Sequence, residues 1–298
     1  MLNKRPDARV FYITATQPMR LLDTLIRHLP QIKQPQRVIL SGGVWRSNQR
    51  LLQTGTNINI GDELKVYECP TQGYWYGFSD ESIIHETDDW VVVMKEPLVT
   101  IGMDRSNMHF NLMAGLNHFY GFKNMQTGVQ PITRLDYRVS GLCLFSKHKS
   151  AERRLFMQMQ QRRIKKRYLA VVHESEGIHQ RVTVNHPLSY KQKAMVSPQD
   201  GKPAKTRFIL KAEHLNGCHV YQAITKTGRR HQVRVHAATA IGPLINDELY
   251  GKRRGDRHRT IGLIANHLKF YWNGKWETIQ LSSRWEAQAL HWLTLGAG

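Results

Sequence analysis

The feature that most constrains this chain is a series of short apolar runs at strand length. "GLCLFSK" from Gly141, "RYLAVV" from Arg167, "HVYQAIT" from His219, "LIANHLKFYW" from Leu263 and "WETIQL" from Trp276 are each bounded by polar or turn-forming residues. Two more, Ile83-Ile84 and Trp90 to Met94, flank an Asp88-Asp89 turn. Few helical patterns interrupt them. "SAERRLFMQMQQRRIKK" sets Ala151, Leu155 and Met159 on one helical face, with Ser150 as its cap. "RRHQVRVHAATA" reads as a second helix beginning near Arg229. Runs of strands with occasional helices predict an α+β fold on a mixed, largely antiparallel sheet.

Residues 1–69 read as a separate small α/β module. "PMRLLDTLIRHLP" carries a helical stripe of Leu21, Leu22, Leu25, Ile26 and Leu29 between Pro18 and Pro30. "PQRVILSGGVW" suggests a short helix stopped by Gly42-Gly43, and "VWRSNQRLL" and "NINIGDELKVYE" suggest strands. Arg20, Arg27, Arg37, Arg46 and Arg50 are spread along it. This stretch resembles the S-four-like RNA-binding domain. Residues 70–79 read as a linker, and 80–298 as the second domain. In the linker, Tyr74, Trp75 and Tyr76 are expected to pack onto the following domain, with stacking on bases as the alternative.

Charge narrows the choice of partner. Lys and Arg number 43 against 23 Asp and Glu, a formal net charge of +20. Such an excess favours a polyanion, because each phosphate neutralised releases counterions. No apolar run approaches the roughly 20 residues of a membrane span. The N-terminal text has no secretory core, so a soluble cytoplasmic protein with no membrane partner is expected. The three cysteines are far apart, and neither Cys-x-x-Cys nor His-Glu-x-x-His occurs, so neither a disulfide framework nor a metal is expected.

Three stretches could carry chemistry. In "TRLDYRVSGL", Asp136 lies between Arg134 and Arg138. An extended backbone would set all three on one face; a tight turn would separate them. Taken alone, the text also fits a solvated ion pair. In "KTGRRHQVRVHAA", a helix from Arg229 would aim free amides at an anion, and Arg230 and Arg234 would share a face. In "KKRYLAVV", Tyr168 is either plain core or a flat surface for a base.

Together, "RLD…SGL", "KKRYLA" and "TGRRHQVRVH…GPLINDELYG" resemble, in order and spacing, the RluA-like family of pseudouridine synthases, from about Ile83 to Trp272. The resemblance implies that uridine in RNA is isomerised to pseudouridine without cofactor or metal. Asp136 would then be the catalytic aspartate acting on the ribose, by covalent addition or by proton abstraction. Arg234 would be its salt-bridge partner, and Tyr168 would stack on the flipped base. Arg134 would help hold the nucleotide out of its stack. Arg230, His231, Arg20 and Arg46 are further RNA- or base-binding candidates. The expected partner is ribosomal RNA, with transfer RNA as the alternative, and the expected state is a monomer. The chain departs from the family text at Thr133, where His is usual, at Val139, and in "KEPLVTIGMD", of which Lys95 and Pro97 remain. Two other readings compete: an inactive RNA-binding or ribosome-assembly protein, and a hydrolase with paired carboxylates. The last needs a second acid beside Asp136, where the sequence offers cations.

Overall fold

The computed structural model describes residues 8–122, 128–173, 179–191, 194–196, 201–212, 217–251 and 260–294. Contacts divide the chain into two compact units, Met1–Phe78 with Val99–Val129, and Ser79–Leu98 with Gln130–Gly298. Residues 99–129, which the sequence reading gives to the second domain, therefore cluster with the first unit.

In the first unit an antiparallel sheet runs in the order Arg9–Thr14, Glu63–Glu68, Val44–Arg46, Gln49–Leu51. The helix Leu21–His28 forms where the apolar stripe predicts it, and buries Leu21 and Leu25 against Val38, Ile39, Val44, Leu64 and Val66. Pro35 opens the second helix, Pro35–Leu40, where a missing N–H costs nothing. The strand Arg9–Thr14 was not legible, because only Ile13 of its residues is fully buried. The linker aromatics pack on the 99–129 segment: Trp75 stacks on His109 at 4.2 Å, and Tyr76 meets Phe110 edge-on at 5.7 Å. The Gln72 side chain ties the linker down, donating to the carbonyls of Tyr67 at 2.6 Å and Ser106 at 3.2 Å.

The second unit is built on one long sheet. Among the described residues its main path runs Arg181–Val184, Thr206–Ala212, Cys218–Thr225, Lys165–His173, Leu263–Trp272, Ser140–Ser146, Trp90–Lys95, Ile83–Glu86. Neighbours along that path pair antiparallel except Ser140–Ser146 with Leu263–Trp272, which are parallel, Gly141 facing Ala265. Gly141 has φ +121°, and a Cβ there would lie 2.4 Å from the Ala265 carbonyl oxygen. Only glycine permits that approach.

Both faces of the sheet are covered, which is why its central strands read as continuous apolar runs. Alternation sorts them. Leu169 and Val171 join one core with Trp90, Met94, Leu144, Leu155 and Phe270. Tyr168, Ala170 and Val172 join the other with Phe208, Tyr221, Val233 and Ala237. Each fully buried Leu or Phe contributes about 1.5–3 kcal/mol. The helix Lys149–Gln160 packs on the first face through Ala151 and Leu155. Its cap is His148, whose Nδ1 accepts from Ala151 N at 3.3 Å; Ser150 lies inside the helix and does not cap it. Among the described residues no helix is long and apolar enough to cross a membrane.

Candidate active site

Asp136 begins a tight turn, closed by Val139 N donating to its carbonyl at 3.1 Å. The residues at 134, 136 and 138 therefore do not share a strand face. The turn is held from several sides. Leu98 N donates to Tyr137 O at 2.8 Å, and Ile261 N to Arg138 O at 3.0 Å. Lys95, wholly buried, donates from Nζ to Glu96 O at 2.7 Å, Val139 O at 2.7 Å and Tyr137 O at 3.3 Å. Burial brings the Lys95 ammonium down to about 8, against the opposing pull of Cys143, Asp136 and Glu96. Thr133 is buried and faces away from this chemistry: its Oγ1 accepts from Leu144 N at 3.0 Å, pinning the segment to the strand Ser140–Ser146.

Arg234 meets the turn from the helix Gln232–Ala240. Its Nη1 donates to Asp136 Oδ2 at 3.0 Å. Its other two nitrogens fork onto Asp247, Nε to Oδ2 at 2.7 Å and Nη2 to Oδ1 at 2.8 Å. The Arg234 side chain is 7% exposed and that of Asp247 0%, whereas that of Asp136 is 32% exposed. Asp247 thus anchors the guanidinium and Asp136 presents its open side to solvent. Arg138, without a role in the sequence reading, donates to Asn246 O at 2.7 Å and lies 3.9 Å from Glu248, bracketing Asp247. Asp247 is the second acid that a paired-carboxylate hydrolase would need nearby. Both its oxygens accept from Arg234 and its side chain is fully buried, so it serves as the anchor of the guanidinium and is closed to a water or substrate from solvent.

These contacts set the charge states. For Asp136 the largest influence is desolvation, which raises its pKa. The charges of His231, Arg234 and Arg230 together outweigh it, and the carboxyl lies below the usual carboxylate range. His231 cannot supply that charge near neutrality, because burial takes its own imidazole down to about 4. At neutral pH the arginines, and Arg234 above all, keep Asp136 ionised. Burial alone would lower the basicity of Arg234, but the hydrogen bonds and charges of Asp247 and Asp136 raise it.

The helix carrying Arg234 starts at Gln232, three residues later than the sequence reading places it. His231 stands before it in the left-handed region, φ 51°, and breaks the helical run. Arg230 therefore lies in the preceding turn and does not share a helical face with Arg234. It is exposed, with its guanidinium 4.6 Å from the Tyr190 ring. The Arg229 amide, expected to await an anion, is taken by Gln232 Oε1 at 3.0 Å. That amide group is fully used: Oε1 also accepts from Thr227 Oγ1 at 2.7 Å, and Nε2 donates to Lys205 O and Thr206 Oγ1, both at 3.0 Å. His236 is buried between Thr206 Oγ1 at 2.9 Å and His186 O at 3.0 Å. Gln232 and His236 fix the helix against the sheet; Arg234 and His231 face Asp136.

Tyr168 is 8% exposed on the strand Lys165–His173. Lys166 links it to the turn: its Nζ donates to Arg134 O at 3.2 Å and lies 5.7 Å from the Tyr168 ring centroid. Burial works against the Lys166 charge, but Tyr168, Cys143 and Asp136 raise its pKa overall. Arg134 itself is exposed. The sequence-predicted residues Asp136, Arg234, His231 and Arg230 thus converge, and Tyr168 and Arg134 join them through Lys166. Arg20 and Arg46 belong to the other unit. Arg20 donates to Gly55 O at 2.9 Å and Asn57 Oδ1 at 2.6 Å, and Arg46 pairs with Asp62 at 2.9 Å. Sequence reasoning missed Lys166 and Asp247 as partners, although Asp247 stands inside the quoted "GPLINDELYG". Among the described residues no group of three His, Cys, Asp or Glu side chains is arranged to hold a metal.

The family model described as RNA pseudouridylate synthase matches residues 109–239, a span that includes Asp136, Tyr168 and Arg234. The ribosomal large subunit pseudouridine synthase C of Escherichia coli (strain K12) is 26% identical over 308 residues, covering 95% of each chain. The uncharacterized RNA pseudouridine synthase YjbO of Bacillus subtilis (strain 168) is 32% identical over 192 residues, 63% of this chain and 66% of that protein. Two solved human structures share the fold. RNA pseudouridylate synthase domain containing 4 has TM-score 0.56 at 17% identity, covering 72% of this chain and 94% of that one. Domain containing 1 has TM-score 0.53 at 24% identity, covering 70% and 94%. By family model and relatives the chain is similar to RNA pseudouridine synthases, and it shares their fold.

Proposed function

We propose that this protein converts specific uridines of large-subunit ribosomal RNA to pseudouridine, with Asp136 as the catalytic carboxylate. One observation carries the reading: a carboxylate that is ionised, partly open to solvent and gripped by a guanidinium that a second, buried carboxylate anchors. Such a group suits attack on, or proton removal from, a ribose. The glycosidic bond to nitrogen breaks, the uracil turns within the site, and carbon five rejoins the sugar and loses its proton. Bonds made and broken balance without a change of oxidation state. Tyr168 supplies the face for the uracil, and Arg134, exposed on the Lys166-held segment, meets the nucleotide after it leaves its stack. Flipping costs a few kcal/mol. Cationic contacts, Arg230 included, offset part of it, and His231 is read as a further, neutral contact.

The ribosomal preference rests on the relatives named above and on the net charge of +20. The first unit, resembling an S-four-like domain, is read as the RNA anchor through Arg20 and its other exposed cations, and the protein as a cytoplasmic monomer. Mapping pseudouridine across ribosomal and transfer RNA, with and without the gene, tests the reading. Loss of one or a few large-subunit sites, restored by the wild-type protein and not by Asp136→Ala, is expected. Loss confined to transfer RNA would overturn the substrate, and restoration by Asp136→Ala would overturn the catalytic residue. RNA affinity is also expected to fall steeply with salt, by about 0.7–0.9 log units per log unit of salt for each phosphate contacted. A salt-independent affinity would contradict the charge argument.

A further inference from the structure

Tyr250 touches both partners of Asp136. Its hydroxyl lies 2.8 Å from His231 Nδ1, and its ring lies 5.1 Å from the Arg234 guanidinium carbon. His231 in turn sets Nε2 3.5 Å from Asp136 Oδ2, the same oxygen that takes Arg234 Nη1 at 3.0 Å. The protonation pattern follows from these contacts. If Nδ1 gave its proton to the tyrosine oxygen, the bare lone pair of Nε2 would face a carboxylate oxygen, which is repulsive. If the tyrosine O–H donates to Nδ1, the imidazole carries its proton on Nε2 and points it at Asp136. His231 stands in the left-handed region, φ 51°, with Nε2 on the side of Asp136.

We infer that Tyr250 fixes the tautomer of His231 so that two donors, His231 Nε2–H and Arg234 Nη1–H, lock Oδ2 of Asp136 and leave Oδ1 as the oxygen that meets the ribose. The inference rests on the pseudouridine synthase reading of this site. Tyr250 and His231 act through Asp136 and are positioning residues. The 3.5 Å separation is long for a hydrogen bond, and this lock requires it to shorten when RNA is bound. The imidazole is neutral at working pH, since burial holds it at about 4, so it serves as a donor and not as a countercharge.

Two measurements on the full chain test this. The first is turnover on large-subunit ribosomal RNA carrying tritium at carbon five of uridine, where each isomerisation releases the label. Tyr250→Phe is expected to lower kcat about 100-fold, the scale of a misplaced catalytic group, with KM little changed. His231→Gln, whose amide nitrogen reaches the place of Nε2, is expected to keep most of the turnover. His231→Asn, which reaches only the place of Nδ1, is expected to fall to the level of His231→Ala. Asparagine tolerates the left-handed backbone, so it controls for folding. Wild-type kcat in Tyr250→Phe, or equal rates for His231→Gln and His231→Asn, would overturn the inference. The second measurement does not need turnover. Long-range proton–nitrogen correlation spectra of protein labelled at histidine nitrogens, with His231 assigned by its loss in His231→Gln, should show a protonated Nε2 and a bare Nδ1. The opposite tautomer would overturn the inference even in an active enzyme. Correct tautomers in a wild type that released no label from ribosomal RNA would leave it standing and count against the substrate reading.

Discussion

Asp247→Asn separates the residue that builds the site from the residue that uses it. The substitution keeps shape and removes charge. The amide oxygen can still accept from one N–H of Arg234, but its NH2 then faces the other. Arg234 and Asp247 are both shielded from water, so solvent cannot repair the loss. Breaking one side of a buried pair costs about 3–5 kcal/mol. A unit of this size loses about 2–4 °C of Tm per kcal/mol, so a fall on the order of 10 °C is expected in its calorimetric transition. Asp136→Asn should cost far less. That side chain is 32% exposed and receives one guanidinium N–H at 3.0 Å, so screening reduces its share to about 1 kcal/mol or less. Turnover should rank the other way. Asp136→Asn removes the reacting carboxylate and abolishes label release, while Asp247→Asn leaves a slow enzyme, because Arg234 still contacts Asp136. A Tm loss for Asp136→Asn as large as that for Asp247→Asn would refute the division of labour.

Other perturbations read other parts of the structure. His231 has an ordinary imidazole value of 6.5 when unfolded and about 4 when folded, so its share of stability is complete above 6.5 and is lost as pH falls toward 4. The stability gap between wild type and His231→Gln in urea should therefore narrow over that window, and a constant gap would contradict it. Asp136 lies below its ordinary 3.8, so loss of activity from its protonation should set in only beneath that pH. Thr133→Val removes the acceptor for Leu144 N and should cost about 1–3 kcal/mol in urea unfolding while kcat stays near wild type. A large loss of kcat in folded Thr133→Val would place Thr133 in the chemistry. Gly141→Ala, which puts a methyl 2.4 Å from a backbone oxygen at a positive φ, should yield little soluble protein, and near-normal stability would contradict the parallel register.

Much of the site was readable because its key letters sit in short, ordered motifs. Asp136, Tyr168 and Arg234 were each ambiguous within their own stretch, and the order and spacing of the three motifs together singled them out. The strand alternation that sends Tyr168 and Leu169 to opposite cores is a local property, so it too was legible. What could not be read is what tertiary contact decides. Nothing near Arg234 in the sequence says that two of its three nitrogens donate to Asp247 rather than to Asp136. Helical spacing suggested a start at Arg229, but Gln232 takes the Arg229 amide and His231 turns left-handed, so the helix begins later. Asp136 was ambiguous between strand and turn because Lys95, far away in the chain, supplies the clamp that selects the turn. Residues 99–129 look like ordinary connecting text, and only packing assigns them to the first unit.

The parallel pairing of Gly141 with Ala265 has a consequence for timing. A strand can pair with a neighbour across a hairpin as soon as both exist, but a parallel partner more than a hundred residues downstream must first be synthesised. At about 5–20 residues per second, that delay is about 6–25 seconds. During it the segment Ser140–Ser146 has Trp90–Lys95 on one edge, while on the other its later residues meet Gln130–Pro131 and Thr133 and the Ser140–Gly141 end awaits its parallel partner. Arg234 and Asp247 also emerge within that interval, well after Asp136. The nascent protein therefore passes through a stage with a partly open apolar strand edge and a carboxylate that still lacks Arg234. Its capacity for chemistry arrives only when the last central strand closes, which makes activity itself a report on completed folding.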